Sequence, residues 1–178
     1  MSAWRPGDRR EDRASMLRVD QAGEYGATRI YAGQLAVLRR NCPEAKLIAR
    51  MAAQEERHLK RFNALVADRR VRPTALQPLW NVAGFALGAA TALLSENAAL
   101  ACTDAVETEI DRHYGSQLDA LGDEDPELSA DIAEFRAEEL EHRDTAREAG
   151  ATQAAGYPLL TAAIRAGCRV AIGLSKRI

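Results

Sequence analysis

The pattern of apolar and polar positions follows a helical period through most of the chain. Residues that step by three and four positions share one face of an α-helix. After Pro43 this face comprises Ile48, Met51, Glu55, His58, Phe62 and Leu65, and after Pro126 it comprises Leu128, Ile132, Phe135, Glu139, His142 and Ala146. Each face is apolar at both ends and carries a glutamate and a histidine in its middle. Because burying an unpaired charge is very costly, something must compensate these side chains inside the protein.

Prolines, glycines and short polar runs predict where the helices end. They divide the chain into five expected helices, at about residues 15–40, 43–69, 78–121, 126–148 and 159–174. Residues 1–14 are predicted to be a polar N-terminal tail, and residues 15–178 a single domain that ends in an apolar helix at about 158–175. The fold class expected is an all-α four-helix bundle with this C-terminal helix added.

The predicted helices form an internal repeat. Leu17, Glu24, Tyr31 and Leu38 step by seven, as do Leu100, Glu107, Tyr114 and Leu121. The segment Ala53-Gln54-Glu55 followed by His58 also matches Ala137-Glu138-Glu139 followed by His142. We interpret this as a duplicated helical hairpin, with halves at about 15–70 and 78–149. Chance similarity of two amphipathic hairpins is the alternative, but the shared residues include the polar ones.

Composition supports an all-α protein and argues against several classes of protein. Runs rich in valine, isoleucine and threonine, which mark strands, are absent. The formal net charge of −2 argues against a nucleic-acid-binding protein. Three cysteines without a CxxC pair make a disulfide framework unexpected and favour a reducing compartment. No secretory signal and no convincing transit peptide is recognised.

Two Glu-x-x-His pairs and two further glutamates predict a metal centre. Glutamate and histidine three positions apart lie on one helix face and can reach one ion. In each predicted antiparallel hairpin, the glutamate of the first helix and the Glu-x-x-His pair of the second are a similar number of residues from the turn. Since a helix rises about 1.5 Å per residue, these side chains should lie at a similar depth in the bundle. The six expected ligands are Glu24, Glu55, His58, Glu107, Glu139 and His142.

This arrangement is the one described for ferritin-like di-iron and di-manganese proteins. Four carboxylates balance the charge of two divalent ions, and carboxylates with imidazoles suit iron or manganese better than copper. We therefore expect two iron ions per chain; a buried polar network without metal is the alternative.

Longer motifs resemble the demethoxyubiquinone hydroxylase family. They are Val19-Asp20-Gln21-Ala22-Gly23-Glu24-Tyr25-Gly26-Ala27, Pro78-Leu79-Trp80-Asn81, Ala101-Cys102-Thr103 through Glu107, and the ending from Ala166 to Ile172. The likeness extends from about Leu17 to the end of the chain. It implies a di-iron monooxygenase of ubiquinone biosynthesis that inserts one oxygen atom from O₂ into a polyprenyl methoxy-benzoquinol, with NADH as reductant. The chain lacks a G-x-G-x-x-G motif after a strand, so no Rossmann NADH site is expected. The other readings are a ferroxidase or manganese catalase, and an iron-storage or iron-buffering bundle.

Two residues beside the expected centre are candidate catalytic groups. Tyr114 falls on the apolar face near the metal layer and would carry a proton or an electron, or it is simply a core tyrosine. His113 lies one step off that face, where a role in supporting the ligands or in electron transfer and an ordinary surface position are equally compatible with the sequence.

Two apolar segments predict contact with lipid. One runs from Leu76 to Leu94, and the other is the C-terminal helix, whose basic residues are Arg165, Arg169, Lys176 and Arg177. An apolar helix face flanked by basic residues is typical of binding to an anionic membrane surface; covering the bundle or a partner subunit is the alternative.

We expect a peripheral protein on the cytoplasmic face of a bacterial inner membrane, or on the matrix side of the mitochondrial inner membrane if the chain is a trimmed eukaryotic form. The expected partners are the polyprenyl quinone, the membrane, a second copy of the chain and a lipid-binding accessory protein of the ubiquinone-synthesis complex, and no nucleic acid.

Overall fold

The computed structural model describes residues 9–177, with side chains from residue 13 onward. This part of the chain is helical and contains no strand. The helices are α1 (Arg9–Val37), α2 (Pro43–Asp68), α3 (Gln77–Leu94), α4 (Glu96–Leu121), α5 (Pro126–Glu148) and α6 (Tyr157–Ser175), with a single 3₁₀ turn at Ala151–Gln153. The prediction of an all-α ferritin-like bundle is confirmed.

Local capping explains where the helices begin. The Cys42 sulfur accepts a hydrogen bond from the Ala45 amide, and the Asp125 carboxylate accepts one from the Leu128 amide. A proline follows each of these capping residues at the first helical turn, where its missing N–H costs nothing. These caps set the start of the second hairpin arm in each half of the repeat.

The single helix expected over 78–121 is wrong, because the chain breaks at Ser95. This residue has an extended backbone (φ −176°, ψ 165°), and its hydroxyl accepts a hydrogen bond from the Ala98 amide at 3.0 Å. Serine is a strong N-cap, since its side chain satisfies an otherwise unpaired amide at the helix start. The break lets α4 enter the bundle, while α3 packs separately along α1.

The helical N-terminal region is longer than expected. Helix α1 begins at Arg9, so part of the predicted 1–14 tail is helical, and residues 1–8 lie outside the described residues. At its other end α1 stops at Val37, three residues before the expected end at Arg40.

Helices α1, α2, α4 and α5 form the bundle. Within each hairpin, α1 packs on α2 and α4 packs on α5, and α1 also contacts α4. Helices α2 and α5 face each other through ion pairs, among them Arg61–Asp131 at 2.7 Å and Arg69–Asp125. Helix α6 lies against α4.

Helix α3 approaches α1 as closely as the backbones permit. A Cβ atom placed on Gly88 would lie 1.9 Å from the carbonyl oxygen of Ile30, and one on Gly33 would lie 2.1 Å from that of Phe85. Only glycine allows this contact, so α3 is held tightly against the outer side of α1.

Two apolar clusters fill the bundle and leave a polar layer between them. One contains Tyr31, Leu38, Ile48, Met51, Leu100 and Ala146, and the other contains Leu17, Phe62, Tyr114, Leu121, Ile132 and Phe135. Each bundle helix contributes to both clusters and carries its glutamates and histidines in the interval between them. The fold therefore presents the six predicted ligands at one level.

Candidate metal centre

All six predicted ligands meet in the polar layer, where each is at most 2% exposed. They form two groups whose potential ligand atoms lie within 4.8 Å of one another. The first group is Glu24, Glu55, His58 and Glu139, and the second is Glu55, Glu107, Glu139 and His142. Glu55 and Glu139 belong to both groups, so the two groups form one continuous cluster.

Both histidines turn their Nδ1 atom toward the carboxylates. Nδ1 of His58 lies 3.1 Å from Oε1 of Glu139 and 3.4 Å from Oε2 of Glu24. Nδ1 of His142 lies 3.1 Å from Oε2 of Glu139 and 3.3 Å from Oε1 of Glu55. Each imidazole therefore has one nitrogen directed at the centre and the other, Nε2, directed away from it.

Two buried tyrosines hold the outer carboxylates in place. The Tyr31 hydroxyl donates a hydrogen bond to Oε1 of Glu107 at 2.7 Å, and the Tyr114 hydroxyl donates one to Oε1 of Glu24. Each bond joins one half of the repeat to the other. In both carboxylates the second oxygen accepts no hydrogen bond and remains available for a ligand.

Burial and mutual repulsion make the carboxylates poor anions without a cation. Burial is the main cause of the raised pKa of Glu55, Glu107 and Glu139, and neighbouring carboxylates add to it. Burial would lower the pKa of His58, but the hydrogen bond to Glu139 and the nearby carboxylate charges of Glu24 and Glu139 raise it to about 10. Burial lowers the pKa of His142. A cluster of this kind favours a cation, because opposite charge relieves the repulsion.

The donor set fits a metal site. Both oxygens of Glu55, and one each of Glu24 and Glu107, are buried and accept no hydrogen bond. Unsatisfied buried oxygens are uncommon in proteins, and a cation accounts for them better than packing does. The structure thus brings all six predicted residues together in a form that would hold metal.

His113 belongs to a separate hydrogen-bonded group beside this centre. Its Nε2 lies 3.2 Å from Oδ1 of Asp20, and Gln117 donates a hydrogen bond to the same oxygen at 2.8 Å. Asp20 is buried one helical turn before Glu24, and burial raises its pKa. His113 also lines a surface cavity of about 500 Å³ together with Arg13 and other polar residues. It is therefore neither a ligand nor an ordinary surface histidine.

A second cavity, of about 580 Å³, is lined mainly by apolar side chains. It lies among α1, α3, α4 and α6, and its lining includes Ala22, Gly23, Gly26, Ile30, Trp80, Val106, Leu160 and Gly167. Gly23 adjoins Glu24 in the chain, and Val106 adjoins Glu107. A Cβ atom on Gly23 or Gly26 would meet nothing within 4 Å, so open space adjoins both glycines.

Helix α6 is held beside this cavity by a buried carboxylate. Glu109, which is 2% exposed, accepts hydrogen bonds from Arg165 at 2.7 Å and from Arg169 at 2.8 Å. These two arginines, expected from the sequence to face a membrane, are thus engaged with the protein. Trp80 of α3 also donates a hydrogen bond to Ser175 at the end of α6.

Large apolar side chains are exposed on α3 and α6, at Leu79, Val82, Phe85, Leu93, Leu94, Leu159, Val170 and Leu174. None of the helices in residues 9–177 has the length and apolarity needed to cross a bilayer.

Several residues of the site are missed by reasoning from the sequence. Gln54 and Glu138 contact the outward nitrogens of the two histidines, and Tyr31 holds Glu107. The internal repeat could have identified all three, because each stands at a position where both halves of the repeat carry a polar side chain. No pattern in the sequence pointed to Glu109.

Comparison with known proteins agrees with this architecture. The model of the family described as "Ubiquinone biosynthesis protein COQ7" matches residues 11–175. The chain is 59% identical to the 3-demethoxyubiquinol 3-hydroxylase of Rhodospirillum rubrum, over 91% of this chain and 76% of that protein. It is 54% identical to the human NADPH-dependent 3-demethoxyubiquinone 3-hydroxylase, mitochondrial, over 92% and 76%. It is 44% identical to the 5-demethoxyubiquinone hydroxylase, mitochondrial, of Saccharomyces cerevisiae, over 92% and 77%. A helical bundle with a buried glutamate–histidine centre, matched along nearly its whole length, thus belongs to the COQ7 family of ubiquinone biosynthesis proteins.

Proposed function

We propose that this protein is a monooxygenase of ubiquinone biosynthesis that hydroxylates a polyprenyl methoxy-benzoquinol, demethoxyubiquinol, with O₂. The observation that carries the proposal is the apolar cavity beside the buried glutamate–histidine centre. Residues adjoining both outer carboxylates line it, and its volume of about 580 Å³ lies in the range of ligand pockets. The names of the relatives, at 44–59% identity, describe the same class of reaction.

The metal held by the six residues is proposed to be two iron ions. Glu24 and His58 would help to hold one ion and Glu107 and His142 the other, while Glu55 and Glu139, which belong to both groups, would contribute to both. The mixture of carboxylates and imidazoles suits iron. When bound, iron supplies the redox chemistry with O₂, which the protein side chains cannot perform themselves.

The protein's own residues position the reactants and exclude water. Tyr31 and Tyr114 fix the outer carboxylates by hydrogen bonds, so the unbonded oxygen of each faces the centre. The small residues along α1 leave room for a flat ring, and the apolar walls from α3 and α6 accommodate the polyprenyl tail. The Glu109–arginine contacts keep α6 closed over this space.

Tyr114 and His113 are proposed to move protons or electrons to the centre. Tyr114 contacts the ligand Glu24 directly, whereas His113 connects to Asp20 and lines a polar surface cavity. The two residues are neighbours in the chain, and the polar cavity beside His113 is lined by other residues than the apolar cavity. The reductant expected from the sequence is NADH; the name of the human relative specifies NADPH, so the assay should compare both.

Contact with a membrane surface is proposed for the exposed faces of α3 and α6. Trp80 and Leu160 line the cavity, while Leu93 and Leu159 project from the same two helices and are 74% and 78% exposed. An apolar substrate could thus pass from lipid into the cavity without crossing water. This placement corresponds to the cytoplasmic face of a bacterial inner membrane or the matrix face in mitochondria. A second copy of the chain or a lipid-binding accessory protein would cover part of the same face.

Hydroxylation is tested with the iron-loaded full chain in lipid nanodiscs, a short-tailed demethoxyquinone, NADH or NADPH, and ¹⁸O₂. The expected product is a hydroxyquinone carrying one labelled oxygen. Gly26→Leu should fill the cavity and abolish product without lowering the iron content. Gly173→Leu, on α6 where a Cβ also meets nothing within 4 Å, is the matched control outside the cavity lining. Unlabelled product, or none from an iron-replete protein even in an extract that supplies partners, would refute the proposal. Fe²⁺ oxidation alone would then favour a ferroxidase.

The membrane proposal is tested by flotation with anionic liposomes. Leu159→Glu combined with Val170→Glu should abolish binding, because both side chains are exposed and apolar. Ala133→Glu, on an exposed position of α5, should leave it unchanged. Equal flotation of both variants would contradict the assignment of this face.

A further inference from the structure

The outward nitrogens of the two histidines have partners of different charge. Nε2 of His58 lies 2.8 Å from Oε2 of Glu138, whereas Nε2 of His142 lies 3.0 Å from Oε1 of Gln54. One imidazole therefore faces a carboxylate and the other faces a neutral amide.

These two partners occupy equivalent positions of the repeat. Gln54 stands directly before Glu55, and Glu138 stands directly before Glu139. Each reaches across the α2–α5 interface to the histidine of the other hairpin. The two halves of the repeat thus make the same contact to a histidine, but only one of the two contacting residues is charged.

The carboxylate of Glu138 is held so that one oxygen serves His58. Its Oε1 accepts a hydrogen bond from Arg57, which leaves Oε2 for the imidazole. Glu138 is 21% exposed at its side chain, so its charge needs little compensation from the interior. Gln54 can accept the corresponding N–H through its amide oxygen but carries no charge.

We propose that Glu138 and Gln54 are positioning residues that make the two cation positions unequal, with the position formed by Glu24 and His58 binding more tightly. An imidazole that binds a cation through Nδ1 carries its proton on Nε2 and donates it outward. A carboxylate acceptor makes the imidazole a stronger donor to the cation than an amide does, and such outer partners typically change metal affinity by about 10–100-fold. The inference rests on the metal centre described above and not on the hydroxylation reaction.

The test is anaerobic titration calorimetry of the metal-free full chain with Mn²⁺ and, separately, Fe²⁺. The wild type should bind two ions in two steps whose Kd values differ by about 10–100-fold. Gln54→Glu should make the two Kd values more similar by lowering the larger one. Glu138→Gln should also make them more similar, but by raising the smaller one. Glu148→Gln, at an exposed residue near the end of α5, should leave the ratio of the two Kd values unchanged.

A ligand variant assigns the steps to positions. Glu107→Ala retains Glu24, Glu55, His58 and Glu139, and it should keep the tighter step. Adding Glu138→Gln to it should weaken that step, whereas adding Gln54→Glu should not change it. Circular dichroism confirms that each variant is folded; both Gln54 and Glu138 are only partly buried, and their substitutions preserve size.

The outcomes separate this inference from the proposals it builds on. Two equal Kd values in the wild type, or a ratio unaffected by Gln54→Glu and Glu138→Gln, would overturn it while leaving the metal centre intact. Failure of folded wild type to bind either ion would overturn the centre and the inference together. Two ions bound with unequal Kd values by a protein without hydroxylase activity would support the inference and count against the proposed reaction.

Discussion

Loading the metal-free protein is expected to raise its unfolding temperature substantially. An ion that binds only the folded state stabilises it by about 2.7 kcal/mol when the free ion is at 100 times its Kd. Two positions at that saturation give about 5 kcal/mol, and since 1 kcal/mol shifts the midpoint of a protein of this size by about 2–4 °C, the expected rise is roughly 10–20 °C.

The arrangement of the ligands predicts how this rise divides among variants. Glu55 and Glu139 belong to both ligand groups, so Glu55→Gln should remove most of the stabilisation. Glu24 belongs to one group, which forms the tighter position in the inference above, so Glu24→Ala should remove at least half of it. Without metal, Glu55→Gln should unfold at a higher temperature than the wild type, because a neutral amide relieves the repulsion among the buried carboxylates.

Thermal unfolding followed by circular dichroism, with and without Mn²⁺, measures these effects. Glu56→Gln is the matched control, because Glu56 is the exposed neighbour of Glu55 on the same helix. If Glu55→Gln kept the full metal-induced rise, or Glu56→Gln lost it, the ions would bind outside the buried polar layer. The reasoning about that layer would then be wrong.

Three further predictions concern stability, each measured by urea unfolding. Phe62→Ala removes a fully buried ring of the second apolar cluster and should cost about 3–5 kcal/mol; a loss below 1 kcal/mol would contradict its place in the core. Ser95→Ala should cost about 1 kcal/mol through loss of the α4 cap, and Ser95→Asp should restore it. Gly88→Ala should be strongly destabilising because its Cβ would clash with the Ile30 carbonyl, whereas Gly167→Ala, which meets nothing, should be neutral or stabilising.

Helical periodicity and spacing were sufficient to predict that six glutamates and histidines meet, because both are local properties. Residues three or four apart share a face of any helix, whatever surrounds it. The distances of Glu24, His58, Glu107 and Glu139 from their turns then set a common depth in two antiparallel hairpins. The structure places these residues in one layer, as expected.

The break at Ser95 shows where local reasoning fails. The segment from Pro78 to Leu121 contains no proline after its first residue, and serine inside such a run is also compatible with a continuous helix. Close packing of α3 on α1 through Gly33 and Gly88 favours the capped, broken conformation instead. That contact joins residues some 50 positions apart, so no window of sequence contains it.

The sequence by itself determined the helical class, the duplicated hairpin and the identity of the buried polar residues, because each follows from composition, periodicity and repetition along the chain. Only the tertiary structure decided which groups from different helices meet: Tyr31 with Glu107, Gln54 with His142, and Glu109 with the arginines of α6. It also decided how the two halves diverged, since the repeat-equivalent positions Ile30 and His113 line an apolar and a polar cavity respectively. Side-chain pairing and cavity shape depend on the packing of whole helices against one another, and that packing is a property of the assembled fold rather than of any segment.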